Sequence, residues 1–399
     1  MGNEISADIK KLIETKEIDQ KELAFFNNIR WVLTIFVVLI HLNVTYSTFG
    51  KWYYTEPWAI DFTGLFFAMY GMLSQAYVLG LFFFIAGYFT PSSVDKRGIK
   101  EFIRSRTIRL GIPTLVYMLC IHPITIYILQ KFSLTSHTDF VAWYSDYILS
   151  LSFLSNSGPL WFTIVLLAFS ISYALSKSLY TTKAEIKKKF EMKNVHLFSL
   201  ILITALLAFL IRLFQPAGTT LFNNELGNFM QIGFFSSYIT LYYSGILFYR
   251  YKLLEKLNFK FGMKWLVLTI LVGVPLWFIV IISGDLLSGS VVLFGGFGWQ
   301  SGMYSLWESF LAVGMTIGLI ALFKEKFNSQ GQITRFLGQN SFAVFVFHPP
   351  ILVLISILMS EVSLPPLGKM YVVATLVIPT CYIFSHFFRK ITWIKKYFS

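Results

Sequence analysis

The chain has 399 residues, 56% of them hydrophobic, 18% aromatic and 13% charged, with a mean hydropathy of +0.64. A soluble domain carries about twice that charged fraction, so the composition excludes a soluble protein and points to a membrane. The net charge of +13 would suit a nucleic-acid binder, but the cations are segregated loop by loop, which excludes that class.

Residues 5–18 set Ile5, Ile9, Leu12, Ile13 and, close by, Ile18 on roughly one stripe among charges. This predicts a short interfacial helix in an arm over 1–24. The first twenty residues are too charged for a cleavable signal peptide, so the first apolar run is expected to act as an uncleaved anchor. Ten runs are apolar enough to cross a hydrocarbon core of about 30 Å, which takes roughly 20 helical residues. They fall near 27–47, 64–89, 110–130, 159–179, 196–215, 229–249, 265–283, 303–323, 341–360 and 369–388. The expected architecture is an all-α membrane protein with one transmembrane domain over 25–390 and a basic tail at 391–399. The short alternating segments of a membrane barrel do not occur.

Counting Arg30, at the foot of the first run, with the N-terminal arm, and Lys177, at the end of the fourth, with the connection after it, every Lys and Arg belongs to that arm, an even-numbered connection or the tail, except Lys51, Lys131, Arg212 and Lys369. Cations gather on the cytoplasmic side of membrane proteins, so both termini are expected there, against anionic lipid headgroups. Cys120 and Cys381 each sit inside an apolar run and give no disulfide framework or metal site. The third connection, 131–157, contains FVAWYSDYILSLSFL, which predicts a helix in the outer interface or a cap over a cleft. The seventh, SGDLLSGSVVLFGGFGWQSG, is glycine-rich and expected to be irregular.

Arg30 and His41 stand eleven residues apart on the first run. Eleven helical residues return to within about 20° of the same face and rise roughly 16 Å. Arg30 then marks the membrane edge while His41 lies near mid-bilayer, where ionisable groups are costly and usually functional; the alternative is a snorkelling Arg and a structural His. The other ionisable groups within the runs are His122, Glu308, His348 and His386. Glu308, in SLWESFLAVG, is at a depth compatible with His41. A hydrogen bond between them would fix one imidazole tautomer and raise its basicity; the alternative is a structural bond to backbone. FIRSRTIRLGIP places Arg106 and Arg109 on one helical face, suited to phosphate or explained by the charge rule alone.

LFFFIAGYF (81–89) contains Gly87, which permits close backbone approach. SGPLWFTIVLL (157–167) puts Pro159 at a helix start and Trp161 at the outer interface. FLGQNSFAVFVFHPPIL (336–352) reads as a turn at Gly338, caps at Asn340 and Ser341, and His348 deep in the ninth run. His348 precedes two prolines, and it either satisfies the carbonyls they free or joins the chemistry. Gly314 and Gly318 form a small-residue spacing suited to helix packing.

Taken in order, Arg30 with His41, FFFIAGYF, Arg106-x-x-Arg109 before LGIP, GPLWF, the Glu308 run and LGQNSFAVFVFHPP resemble the membrane acyltransferase-3 family. The resemblance covers about residues 25–388. Members are polytopic enzymes that acylate glycans and other envelope acceptors. It implies acyl transfer from a coenzyme A thioester, most often acetyl-CoA, to a hydroxyl of a glycan or lipid-linked sugar at a bacterial cytoplasmic membrane, with no metal. By position it makes His41 the catalytic histidine, Glu308 its carboxylate partner, and Arg30, Arg106 and Arg109 the donor-binding residues. His348, Trp161, Asn340 and Ser341 form a second tier around substrate. Some relatives carry a fused extracytoplasmic domain, which is not expected here. The rival class is a proton-coupled transporter or flippase of an envelope precursor, which would also need intramembrane His and Glu.

Overall fold

In a computed structural model the described residues are 24–391 apart from 48, 57–61, 133–138, 180–190, 221–228 and 287–288, together with 394 and 398. The interfacial helix expected over 5–18, and most of the tail, lie outside them. Eleven helices frame the rest. They are α1 (Ala24–Thr45), α2 (Phe62–Arg97), α3 (Ile99–Phe132), α4 (Phe140–Leu149), α5 (Trp161–Leu179) and α6 (Asn194–Phe214), then α7 (Phe235–Arg250), α8 (Phe259–Ser283), α9 (Trp299–Lys326), α10 (Gln332–Leu358) and α11 (Pro366–Phe388). Nine of these are long and apolar enough to cross a bilayer. The chain is a multi-pass helical membrane protein.

The two exceptions differ in kind. Helix α4 is the short helix expected in the long third connection, with Asp139 capping it by accepting from Val141 N–H. Helix α7 has 16 residues, about 24 Å at 1.5 Å each. It starts later than the expected 229 because residues 232–234 form a 3-10 turn, whose Gly233 carbonyl accepts a hydrogen bond from Arg212 Nε at the end of α6. At its other end Arg250 pairs with Asp95 of α2 at 2.8 Å. Helix α7 therefore joins the same two faces as its longer neighbours.

Helix ends sort consistently onto those faces. Asp95 also pairs with Lys177 of α5, which draws the ends of α2, α5 and α7 together. Asn28 near the start of α1 donates to the carbonyls of Phe327 and Ser329 between α9 and α10. Lys324 donates to the carbonyls of Leu254 and Leu257, and Arg389 after α11 donates to Asn340. The basic connections thus share one face, termed basic here. On the opposite face the seventh connection is irregular, with positive φ at Asp285, Gly289 and Gly296.

Close helix contacts rest on missing side chains. A Cβ at Gly87 would fall on the Tyr242 carbonyl oxygen of α7, and one at Gly245 on the Phe84 carbonyl oxygen of α2. Gly314 and Gly318 face Thr269 and Leu266 of α8 in the same manner, so the small-residue spacing serves packing. Gly87→Ala is expected to lower stability by about 1–3 kcal/mol, because the backbone it meets cannot rotate away. Thermal unfolding of the detergent-solubilised protein measures this.

Helix α3 contains two π turns, Thr107–Gly111 and Tyr117–Ile121. Each precedes a proline, Pro113 or Pro123, whose missing N–H disfavours regular bonding. The expected turn at Gly338 and caps at Asn340 and Ser341 are corrected by α10, which already begins at Gln332. Asn340 and Ser341 donate back to the carbonyls of Phe336 and Leu337, one turn earlier. Those bonds consume the polar groups that would otherwise have ended the helix.

Candidate active site

His41 meets His348. The Nδ1 of His41 lies 2.8 Å from the Nε2 of His348, and the two rings lie nearly parallel with centroids 4.9 Å apart. Pro349 has no N–H to give the carbonyl of Phe345 four residues earlier, and the Nδ1 of His348 fills that role at 2.9 Å. A carbonyl only accepts, so the proton of neutral His348 sits on Nδ1 and its Nε2 is a bare lone pair. That lone pair accepts from the Nδ1–H of His41. The Nε2 of His41 is then the nitrogen left with a lone pair for chemistry. The prolines and the pair are one device: helix chemistry at 345–349 sets a tautomer on another helix.

The indole of Trp52 stacks on His41 with centroids 3.8 Å apart and 12° between planes. Phe229 covers the indole at 5.1 Å, so Trp52 is no free platform for a sugar ring. Trp52 is 3% exposed, and its indole N–H has no hydrogen-bond partner among the described residues. The segment that carries it is pinned on both sides. The Tyr53 hydroxyl lies 3.0 Å from that of Tyr117 and 2.9 Å from Nδ1 of His122, and burial raises its pKa so that it stays neutral. Glu56 pairs with Lys369 of α11 at 2.7 Å. His122, singled out as an ionisable group within a run, anchors this segment.

His41 and Trp52 border a cavity of about 430 Å³, walled by Val37, Gln75, Trp161, Phe162, Tyr238 and Tyr304 among others. Exposed Gly50, Lys51 and Gly218 form its rim, so it opens on the face opposite the basic one. Trp161 was expected at the interface; it is 7% exposed and stacks on Phe235 in the cavity wall. Toward the basic face Phe162 packs on Phe83 and Phe345.

Glu308 is not the partner of His41. The expected hydrogen bond is replaced by a buried ion pair between Glu308 and Arg212 of α6. Arg212 also donates to Gly233 O and to Ser305 Oγ, both at 3.0 Å, and lies 4.6 Å over the Tyr304 ring. Tyr304 borders the cavity while Glu308 and Arg212 do not; the pair supports the cavity wall from behind. The guanidinium of Arg212, stacked on the ring of Tyr304, takes up the Glu308 carboxylate on α9. Sequence reasoning passed over Arg212, although an arginine inside LLAFLIRLF on the cation-poor side was the signal available.

Arg30 near the start of α1 and Arg106 and Arg109 in the first part of α3 lie toward the basic face. Arg30 lies 5.0 Å over Phe89, at the end of FFFIAGYF, and Arg106 lies 5.3 Å over Phe102. Among the described residues no carboxylate pairs with Arg30 or Arg106. Arg109 sits within the first π turn of α3, an irregularity frequent at functional sites. Asn340 and Ser341 lie away from the cavity, bonded within α10 and to Arg389. Among the described residues no three His, Cys, Asp or Glu groups cluster as metal ligands.

No curated protein and no solved structure matches this chain. The sequence model of one family, described as an acyltransferase domain, matches residues 23–386. The histidine pair, its cavity and the arginines of the basic face all fall inside that match, and the chain belongs to this family of membrane acyltransferases.

Proposed function

We propose that the protein transfers an acyl group, acetyl in the first instance, from acyl-CoA to a hydroxyl of a cell-envelope glycan or related acceptor in a bacterial cytoplasmic membrane. The observation that carries this reading is the His41–His348 pair, oriented so that Nε2 of His41 faces its task unbonded inside a family of acyltransferases. Nε2 takes the proton of the acceptor hydroxyl as its oxygen attacks the thioester carbonyl. The tetrahedral oxygen needs donors in a dry site, and the buried indole N–H of Trp52, on the ring stacked against His41 and without a partner among the described residues, is a candidate. Collapse breaks the carbon–sulfur bond, and the proton on His41 passes to the departing thiolate.

The two substrates arrive from opposite faces in this reading. Coenzyme A is cytosolic and anionic, and the basic face is cytosolic by the charge rule. Arg30, Arg106 and Arg109 hold its phosphates, and the pantetheine arm runs past Phe162 toward His41. The acceptor hydroxyl is taken up in the cavity that opens on the opposite face.

Release of free coenzyme A from acetyl-CoA by the purified protein, dependent on added acceptor, tests the reaction against a transporter, which would release none. Arg106→Ala and Arg109→Ala should each raise the KM for acetyl-CoA about 10-fold or more, the loss of one charge-assisted bond, with kcat much less affected. An unchanged KM would refute the donor site.

A further inference from the structure

A second cavity, of about 570 Å³, lies on the other side of the crevice between α1 and α2. No charged residue lines it; its walls include Leu39, Leu73, Leu311, Met315 and Met370. Both cavities fall in the size range of ligand pockets. Phe66, Ile270 and Tyr371 at its border are 46%, 46% and 60% exposed on helices read as membrane-spanning, so it opens sideways into the bilayer. A dent in a lipid-facing surface would by itself mean little. This one shares Asn43, Phe67 and Ser74 with the cavity of His41, so a single layer of side chains divides the two.

That layer is unusual in content. Asn43 is 2% exposed, two residues from His41, and its Oδ1 has no hydrogen-bond partner among the described residues. A buried amide oxygen without a donor is costly. Across from it α2 has Gly71, where a Cβ would come within 3.2 Å of Asn43 Nδ2. The helices thus approach closely where a polar acceptor atom awaits a donor, with an apolar lateral cavity on one side and the base on the other.

We propose that the second cavity holds the hydrocarbon chain of a lipid acceptor whose headgroup hydroxyl reaches His41 by passing between α1 and α2 at Asn43. Resting on the reading of His41 as the base, this names the acceptor class and its route. The hydroxyl donates to Asn43 Oδ1 on the way and then gives its proton to His41 Nε2. The oxygen–acyl bond forms as the carbon–sulfur bond of acyl-CoA breaks, and coenzyme A leaves as the thiol. The chain stays in hydrocarbon throughout, so only the head crosses into the polar cavity.

The test uses the full chain in vesicles of total polar lipid from cells that express it, supplied with acetyl-CoA labelled in the acetyl group. Label is expected in the organic-extractable fraction. Leu73→Trp and Met315→Trp, which fill the cavity, should each lower it at least tenfold while the proteins unfold at the wild-type temperature. Leu206→Trp, on a lipid-facing part of α6 (59% exposed), should leave it unchanged. Label found only in water-soluble glycan, or lipid labelling indifferent to the filled cavity, would overturn the lipid route and leave the acyltransferase reading standing. If His41→Ala changes nothing in any fraction, that reading itself fails. A long-chain alcohol bearing a diazirine then decides the cavity alone. Saturable crosslinking to the α1 and α2 peptides, lost in Leu73→Trp, supports a chain site; unsaturable labelling spread over α6 as well means bulk lipid only.

Discussion

His41→Ala is expected to lower acyl transfer by about 10²–10⁴, the contribution of a well-placed general base, with acetyl-CoA binding nearly intact. Loss of binding together with rate would mean that the imidazole only holds the fold. The sharper test lies one helix away. His348→Ala removes the acceptor that holds the proton on Nδ1 of His41, so the base spends part of its time as the wrong tautomer. A loss approaching that of His41→Ala is expected, as when other orienting partners of catalytic histidines are removed. His348→Gln, whose amide oxygen extends as far as the imidazole Nε2, can still accept from His41 and should recover much of the activity. A purely structural His348 would show no such ranking between Gln and Ala at equal stability. Activity should also fall on the acid side, since only a neutral His41 can take a proton. The measurement is acceptor-dependent release of coenzyme A across a pH series for all three variants.

Much of this was legible in the sequence, and the part that was not has a physical reason. Hydrophobic runs and the alternation of cations give the crossings and their order, because the bilayer imposes both. Spacing along one helix gives height along that helix, and it put His348 well inside α10, where the side chain is fully buried. Depth does not give azimuth across helices. Glu308 and His41, expected at compatible depths, bond to other partners, since which helices pack together depends on contacts such as Gly87 on Tyr242 and Gly314 on Thr269. The exceptions to the charge rule mark contacts that depth alone does not give. Arg212 and Lys369, two of the cations on the wrong side, pair with Glu308 and Glu56, and Lys51 lies on the cavity rim. A cation that breaks the topological pattern has another reason to be where it is.

Arg212 and Glu308 supply the second large expected effect, one that separates support from chemistry. Both side chains are essentially without solvent contact, at 0% and 3% exposure. Removing one charge strands the other, which costs about 3–5 kcal/mol in buried pairs, whereas replacing both with apolar groups is often neutral. Arg212→Met alone should therefore unfold at a markedly lower temperature in detergent and lose activity as Tyr304, Phe234 and the 3-10 turn at 232–234 shift. Glu308→Leu alone should do the same, leaving the guanidinium unpaired beneath Tyr304. The double variant Arg212→Met with Glu308→Leu should regain most of the unfolding temperature and, with the wall restored, transfer acyl groups within about tenfold of wild type, a residual loss of up to roughly 1.4 kcal/mol. A double variant that folds but is dead would return Glu308 to the reacting atoms. Recovery would establish it as a positioning residue, acting on His41 only through the wall that the ion pair braces.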